Sequence, residues 1–247
     1  MRVKSWLTVC GLALCLLIEP SIAGQFEDGL AAQKAGDYPT ALRIWKQLAE
    51  ESNVAAQFNL AVMYAKGQGV PQNDAEALNW YRRAAGHGYA PAQLVLGFLY
   101  DEGRGVPQSL SRAMKWYRRA AQQGDVTAQV TLGLIYGEGR GVPQNYWQAL
   151  KWYGLAAEQR NAKAQNNLGL LYAGGHGVTQ DYVQAYTWFS LAAAAGDPDA
   201  GKNRDSVSTI MTYDQMNKAQ KLVKDWMSAK ALDKVAKCQA SNLANCD

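Results

Sequence analysis

Whatever acid–base or metal chemistry this chain could perform rests on two histidines, His87 and His176, and on a few carboxylates at the ends of apolar segments. Neither histidine has a Cys, His, Asp or Glu at the i, i+4 spacing that a zinc-binding helix supplies, so both suit surface loops. Asp101, Glu102 and Glu138 each follow an apolar stretch. Glu102 and Glu138 could serve as the acid and base of a glycosidase if the fold brings them together. The loops Gly67-Gln-Gly69, Gly103-Arg-Gly105, Gly139-Arg-Gly141 and Gly175-His-Gly177 invite comparison with phosphate-binding loops. They lack the preceding strand and the Lys-Ser/Thr that such loops need. No serine nucleophile motif is present. The residue inventory therefore predicts no catalytic group, no metal and no cofactor.

The compartment is set by the first 23 residues. Arg2 and Lys4 make a basic start, Leu7 to Ile18 an apolar run, and Ser21-Ile22-Ala23 a small-residue site. This pattern predicts a secretory signal peptide over 1–23 with cleavage after Ala23. The run is shorter than the roughly 20 residues of a membrane anchor, and no later stretch is apolar enough to span a bilayer. Val9 and Leu14, before Cys10 and Cys15, are too bulky for a lipoprotein site. Cys238 and Cys246 remain, close together in the tail, without a redox spacing or a neighbouring histidine. In an exported protein they are expected to form a disulfide staple, stabilising the tail by about 2–3 kcal/mol. The formal charge of +4 is mild and gives no reason to invoke nucleic acid.

The elements that position these residues follow from an internal repeat. Gln57, Gln93, Gln129 and Gln165 stand at one interval, since 93−57, 129−93 and 165−129 all equal 36. The same interval links Leu60, Leu96, Leu132 and Leu168; Tyr64, Tyr100, Tyr136 and Tyr172; and Gly69, Gly105, Gly141 and Gly177. It also links Trp80, Trp116, Trp152 and Trp188, each followed by Tyr or Phe, and it ends on paired alanines. Within a unit, Leu96, Gly97 and Tyr100 fall at helical spacing. The segment Gly103-Arg-Gly-Val-Pro107 stops that helix. A second helix over Ser111–Gln122 places Ala113, Trp116, Tyr117, Ala120 and Ala121 on a broad buried face. Gly97 costs a helix roughly 1 kcal/mol against alanine; Ala61, Gly133 and Gly169 are also small, so the second helix must approach closely there. A lone hairpin cannot bury Trp116 and Tyr117, whereas stacked hairpins can.

The string Ala-x-x-Gln-x-x-Leu-Gly-x-x-Tyr, then Gly-x-Gly-Val-Pro, then Ala-x-x-Trp-Tyr-x-x-Ala-Ala, resembles the Sel-one-like repeat, a relative of the tetratricopeptide repeat. The resemblance covers 54–197 and implies an all-α fold, a right-handed α-solenoid of stacked helix-turn-helix units. The units are 54–89, 90–125, 126–161 and 162–197. Residues 24–53, with Gly36-Asp-Tyr38, Ala41 and Trp45, resemble a tetratricopeptide hairpin with a shorter loop. Residues 198–247 are expected to cap the array, with a helix over Thr212–Met227 whose Met216, Ala219, Leu222, Val223 and Trp226 face inward. Two departures stand out: Arg160 replaces the closing glycine of the third unit, so its turn is expected to differ, and Thr179 replaces the loop proline.

Carried over from tetratricopeptide geometry, the concave wall comprises Phe58, Val62 and Lys66 in the first unit and Leu94, Phe98 and Glu102 in the second. The third adds Val130, Leu134 and Glu138, and the fourth Asn166 and Leu170. Part of this set (Phe58, Leu94, Phe98, Val130) could instead contact the next repeat, which leaves Lys66, Glu102 and Glu138 at the rim to read a partner. Arg82, Arg83, Lys115, Arg118, Arg119 and Lys151 form a basic stripe on the outer helices, either solvated or open to anionic envelope components. The resemblance implies a periplasmic or secreted scaffold of a Gram-negative bacterium, binding a protein partner that could belong to cell-wall or polysaccharide machinery. The alternatives are a cell-wall-directed hydrolase of β-lactamase-like or peptidoglycan-active type, weakened because the units lack the paired cysteines of such relatives, and a secreted host-interaction factor.

Overall fold

A computed structural model describes the backbone of residues 22–241 and the side chains of 23–229. Its described residues form helices only. They begin with α1 (Ile22–Ala35) and α2 (Tyr38–Glu50), and continue as α3 (Val54–Lys66), α4 (Asp74–Gly86), α5 (Ala90–Glu102) and α6 (Leu110–Gln122). The series goes on with α7 (Val126–Glu138), α8 (Tyr146–Glu158), α9 (Ala162–Gly174) and α10 (Tyr182–Ala194), and ends with α11 (Ala200–Ser208) and α12 (Tyr213–Ser241). Each helix packs chiefly on its neighbours in sequence, and α12 folds back onto α10. That nearest-neighbour pattern is the contact scheme of an α-solenoid.

The ends of the helices are written locally. Asn53, Asn73, Ser109, Asp125, Asn145, Asn161 and Asp181 each accept a backbone N–H of the helix they precede, which satisfies donors that the first turn leaves unpaired. The first helix of each unit ends on a left-handed glycine (Gly67, Gly103, Gly139, Gly175). The turn after α8 does not differ, contrary to the sequence expectation. Arg160 adopts the left-handed conformation itself, with φ 64°. Asn161 N–H then reaches Ala156 O at 3.2 Å, as Asp125 N–H reaches Ala120 O at 3.1 Å. The Arg160 guanidinium lies 5.7 Å from the Trp226 ring centroid, tying the cap to this turn. Thr179 also leaves its loop unchanged: Asp181 N–H reaches Tyr172 O at 3.0 Å, and Asn145 N–H reaches Tyr136 O at 2.8 Å.

The aromatic that fills the core is the second of each pair. Tyr117 is wholly buried and Tyr81, Tyr153 and Phe189 nearly so, whereas Trp80, Trp116 and Trp188 are only half-buried; Trp152 alone of the four tryptophans is buried beside its partner. The expectation that Trp116 is a core residue is thus corrected. The small residue of the first helix is explained by the same contact, because a Cβ on Gly97 would lie 2.3 Å from Tyr117 Cε1. The N-terminal hairpin repeats the device with Gly29 against Trp45.

The recurrent glutamines hold one unit to the next. Gln57, Gln93, Gln129 and Gln165 are buried, and their side-chain amides donate to Ala49, Ala85, Ala121 and Ala157 carbonyls at 3.0–3.2 Å. The cap contains a helix that the sequence did not reveal, α11, and α12 runs to Ser241, well past Met227. Of its expected inward side chains, Ala219 is buried and Met216, Leu222, Val223 and Trp226 are half-buried.

Candidate interaction groove

Between the C-terminal halves of α5 and α7 lies a groove of about 850 Å³, closed on one side by the loops that follow them. Its apolar floor is Phe98, Leu110 and Leu134; Asp101, Glu102, Glu138, Arg140, Gln108 and Thr131 supply the polar groups. Phe98 is fixed edge-on to Tyr117, with centroids 5.4 Å apart. Asp101 accepts from the Tyr117 hydroxyl at 3.3 Å and from Arg140 Nη2 at 2.8 Å. Burial, helped by the Asp101 charge, pushes the Tyr117 phenol far above its ordinary pKa, so it remains a donor. Gln108 Nε2 donates to the Asp101 carbonyl at 2.7 Å, holding the loop against the end of α5. Glu102 and Glu138 are exposed at the rim. The Glu102 carboxylate lies 3.8 Å from Arg104, which is beyond hydrogen-bond length.

Of the eleven wall residues expected from sequence, the groove gathers Phe98, Glu102, Leu134 and Glu138. Phe58 is occupied by packing, with ring centroids 5.6 Å from Tyr81 and 5.4 Å from Tyr89. Val130 and Asn166 are buried rather than displayed. Asn166 Oδ1 accepts from Asn203 Nδ2 at 2.9 Å, beneath the unforeseen α11. Leu94 and Val62 are half-buried, and Lys66 and Leu170 are exposed away from the groove lining. Arg140, Gln108, Leu110 and Thr131 were missed. A signal for three of them was present, since Arg140, Leu110 and Thr131 occupy positions that differ between copies. The Cys238–Cys246 staple and nearly all of the 1–23 leader lie outside the described residues.

On the outer helices the basic side chains are tied to the array. Arg83 and Arg119 sit over the Trp80 and Trp116 rings at 4.5 and 4.6 Å. Arg82 and Arg118 donate to the Tyr100 and Tyr136 hydroxyls of the next unit at 3.4 and 2.7 Å. Among the described residues there is no helix long and apolar enough to cross a membrane, and no group of three or more His, Cys, Asp or Glu that could hold a metal ion.

A crystal structure of a Sel1 repeat protein from Oxalobacter formigenes is similar at TM-score 0.70 and 30% identity, over 85% of this chain and 89% of that one. A protective antigen present in uropathogenic Escherichia coli strains, with an SLR fold, is similar at TM-score 0.51 and 30% identity, over 89% of this chain and 56% of that one. An exopolysaccharide production negative regulator of Rhizobium meliloti (strain 1021) is 36% identical over 63 residues. That match spans 26% of this chain and 24% of the regulator's length. The family model of the Sel1 repeat matches residues 54–89, 90–125, 126–161 and 162–197. With four matched units covering 54–197, each carrying the buried glutamine that bonds back to the preceding hairpin, the chain belongs to the Sel1 repeat family.

Proposed function

We propose that this protein is a non-catalytic scaffold of the bacterial cell envelope that holds a protein partner in the groove between α5 and α7. Sel1 repeats are protein-interaction modules, and the observation that carries the assignment is where the copies differ. Positions 98, 102, 110 and 131 vary across the four units, with the Glu at 102 shared only by 138 in the third, and the residues that the second and third units place there line one apolar-floored groove. Three carboxylates there face one guanidinium, so the groove suits a segment pairing an apolar side chain with a basic one. The basic start and apolar run of the first 23 residues support export. The partial match to an exopolysaccharide regulator fits a role beside polysaccharide machinery.

The test is crosslinking and affinity capture from envelope fractions with the wild type and a Glu102→Gln/Glu138→Gln/Leu134→Ser variant. A partner retained by the wild type and lost by the folded variant is the expected result. Capture that ignores these substitutions would move the site elsewhere. Turnover of peptidoglycan or polysaccharide by the wild type, abolished by Glu138→Gln alone, would replace the scaffold with a hydrolase.

A further inference from the structure

The third unit breaks the outer-face pattern, most sharply at position 154. Residues 82, 118 and 154 are equivalent, since 118−82 and 154−118 both equal 36, yet they are Arg82, Arg118 and Gly154. In the first two units the arginine reaches across to the next unit and donates to a tyrosine hydroxyl, at 3.4 Å for Tyr100 and 2.7 Å for Tyr136. In the third, Tyr172 stands in the same place with no side chain opposite it. A Cβ on Gly154 would meet nothing within 4 Å. The space so left is part of an outer groove of about 480 Å³, lined by Trp147, Leu150, Lys151, Glu158, Tyr172 and Trp188 among others.

The surroundings change in step with the missing arginine. Trp147 and Leu155, 60% and 44% exposed, replace Ser111 and Arg119 of the second unit, and Glu158 replaces Gln122. The basic trio Lys115, Arg118 and Arg119 is thereby reduced to Lys151 alone, beside a carboxylate that the earlier units lack. Lys151 stays in the groove lining, its Nζ 5.7 Å from the Trp152 centroid. The exposed Trp147 indole lines the groove, and the exposed Leu155 follows Lys151 by one turn of α8, an apolar rim of the kind that suits a partner surface. With Gly154 and Leu155 in place of two arginines, the groove repels an incoming cation less than the equivalent surface of the second unit does.

We infer that this outer groove docks an arginine presented by a partner polypeptide, its guanidinium taking against Tyr172 the place that Arg118 holds against Tyr136. The preceding units provide the two halves of the template on neighbouring residues: Arg118 donates to a phenol hydroxyl, and Arg119 lies over the Trp116 indole at 4.6 Å. A planar guanidinium can stack on an indole while donating in its own plane, which an ammonium cannot do. The site is independent of the α5–α7 groove and would let one chain hold two partners, or one partner at two points.

The test uses amide and indole NMR of the purified protein titrated with N-acetyl-arginine amide, N-acetyl-lysine amide and N-acetylglucosamine. The arginine probe should shift the Trp147 and Trp188 indole signals and residues near 154, saturating about tenfold below the lysine probe, as a stacked and hydrogen-bonded guanidinium requires. Gly154→Arg fills the groove from within; it should raise the melting temperature and erase the response. Trp147→Ser, which restores the residue of the second unit at a solvent-facing position, should weaken the response without altering the fold. Equal responses to arginine and lysine, no response, a response only to the sugar, or an arginine response that survives Gly154→Arg would each overturn the assignment.

Discussion

The contact between Gly97 and Tyr117 makes a prediction that can be worked through to a number. Adding a methyl at Gly97 places it 2.3 and 2.4 Å from Tyr117 Cε1 and Cδ1, far inside the roughly 3.5–4 Å of an unstrained carbon contact. The ring cannot withdraw, because it is wholly buried and Phe98 packs edge-on against it. Gly97→Ala should cost about 3 kcal/mol in overpacking, lowered to about 2 kcal/mol by the better helix propensity of alanine. Tyr117→Ala should cost about 3–5 kcal/mol by emptying the core. Trp116→Ala should cost less, since that ring is half-buried. In the Tyr117→Ala background the clash is gone, and Gly97→Ala becomes stabilising by about 1 kcal/mol. The coupling is then about 3 kcal/mol, at the top of what contacting residues show. The assay is urea denaturation followed by helical circular dichroism, with slopes compared so that partial unfolding of the array is detected. If Gly97→Ala costs the same in both backgrounds, the close approach of the second helix is not why the first helix carries a small residue.

Other outcomes follow from the same contacts. Ser52 holds a φ of 65° at the end of the N-terminal hairpin; Ser52→Gly should raise stability by about 0.5–1 kcal/mol, as left-handed strain is relieved at some cost in chain entropy, and a lower denaturation midpoint would contradict it. Burial pushes the Tyr81 hydroxyl up to about 12 and raises those of Tyr117 and Tyr153 as well. A raised folded-state value leaves stability intact below the unfolded tyrosine value of about 10 and removes it as pH climbs through the folded values. Tyrosinate absorbance from the buried rings should therefore appear together with loss of helicity, and ionisation with helicity retained would refute the burial argument. Mass spectrometry of protein recovered from its host should find a chain starting at Gly24 with Cys238 bonded to Cys246; two free thiols would remove the staple.

Much of the architecture was legible because it is periodic. Repeats reveal helix limits, capping residues and the small-residue register through coincidences at one interval, and neighbouring units share one contact scheme. What periodicity cannot rank is which of two adjacent aromatics turns inward: Trp116 and Tyr117 recur equally, and only the space over Gly97 favours the tyrosine. Nor can it describe a part that occurs once. Helix α11 is short and polar, with Ala200 and Val207 as its only buried residues, so it carried no pattern to read; yet it covers Asn166 and removes that residue from the open wall. The groove was half legible for a related reason. Phe98, Glu102, Leu134 and Glu138 follow from repeat geometry, whereas Arg140 arrives from a loop, brought in by its pairing with Asp101.

That pairing bears on how individuality should be sought in such an array. A position that varies between copies is not thereby functional, because neighbouring copies can vary in concert. The middle residue of each Gly-x-Gly loop reaches back to the preceding unit with a different chemistry in three of the four copies. Gln68 Nε2 donates to the Tyr38 hydroxyl at 3.3 Å; Arg140 meets Asp101 at 2.8 Å; His176 stacks on Tyr146 with centroids 4.7 Å apart. Swapping any of these between loops would set it against the wrong neighbour, so these differences fix the order of the units and not the choice of ligand. A glycine where the pattern supplies an arginine, with an exposed tryptophan beside it, serves no such pairing. Nor do two rim carboxylates over an apolar floor. Once the mutually matched differences are assigned to register, these unmatched ones remain, and it is there that this array departs from a generic stack of hairpins.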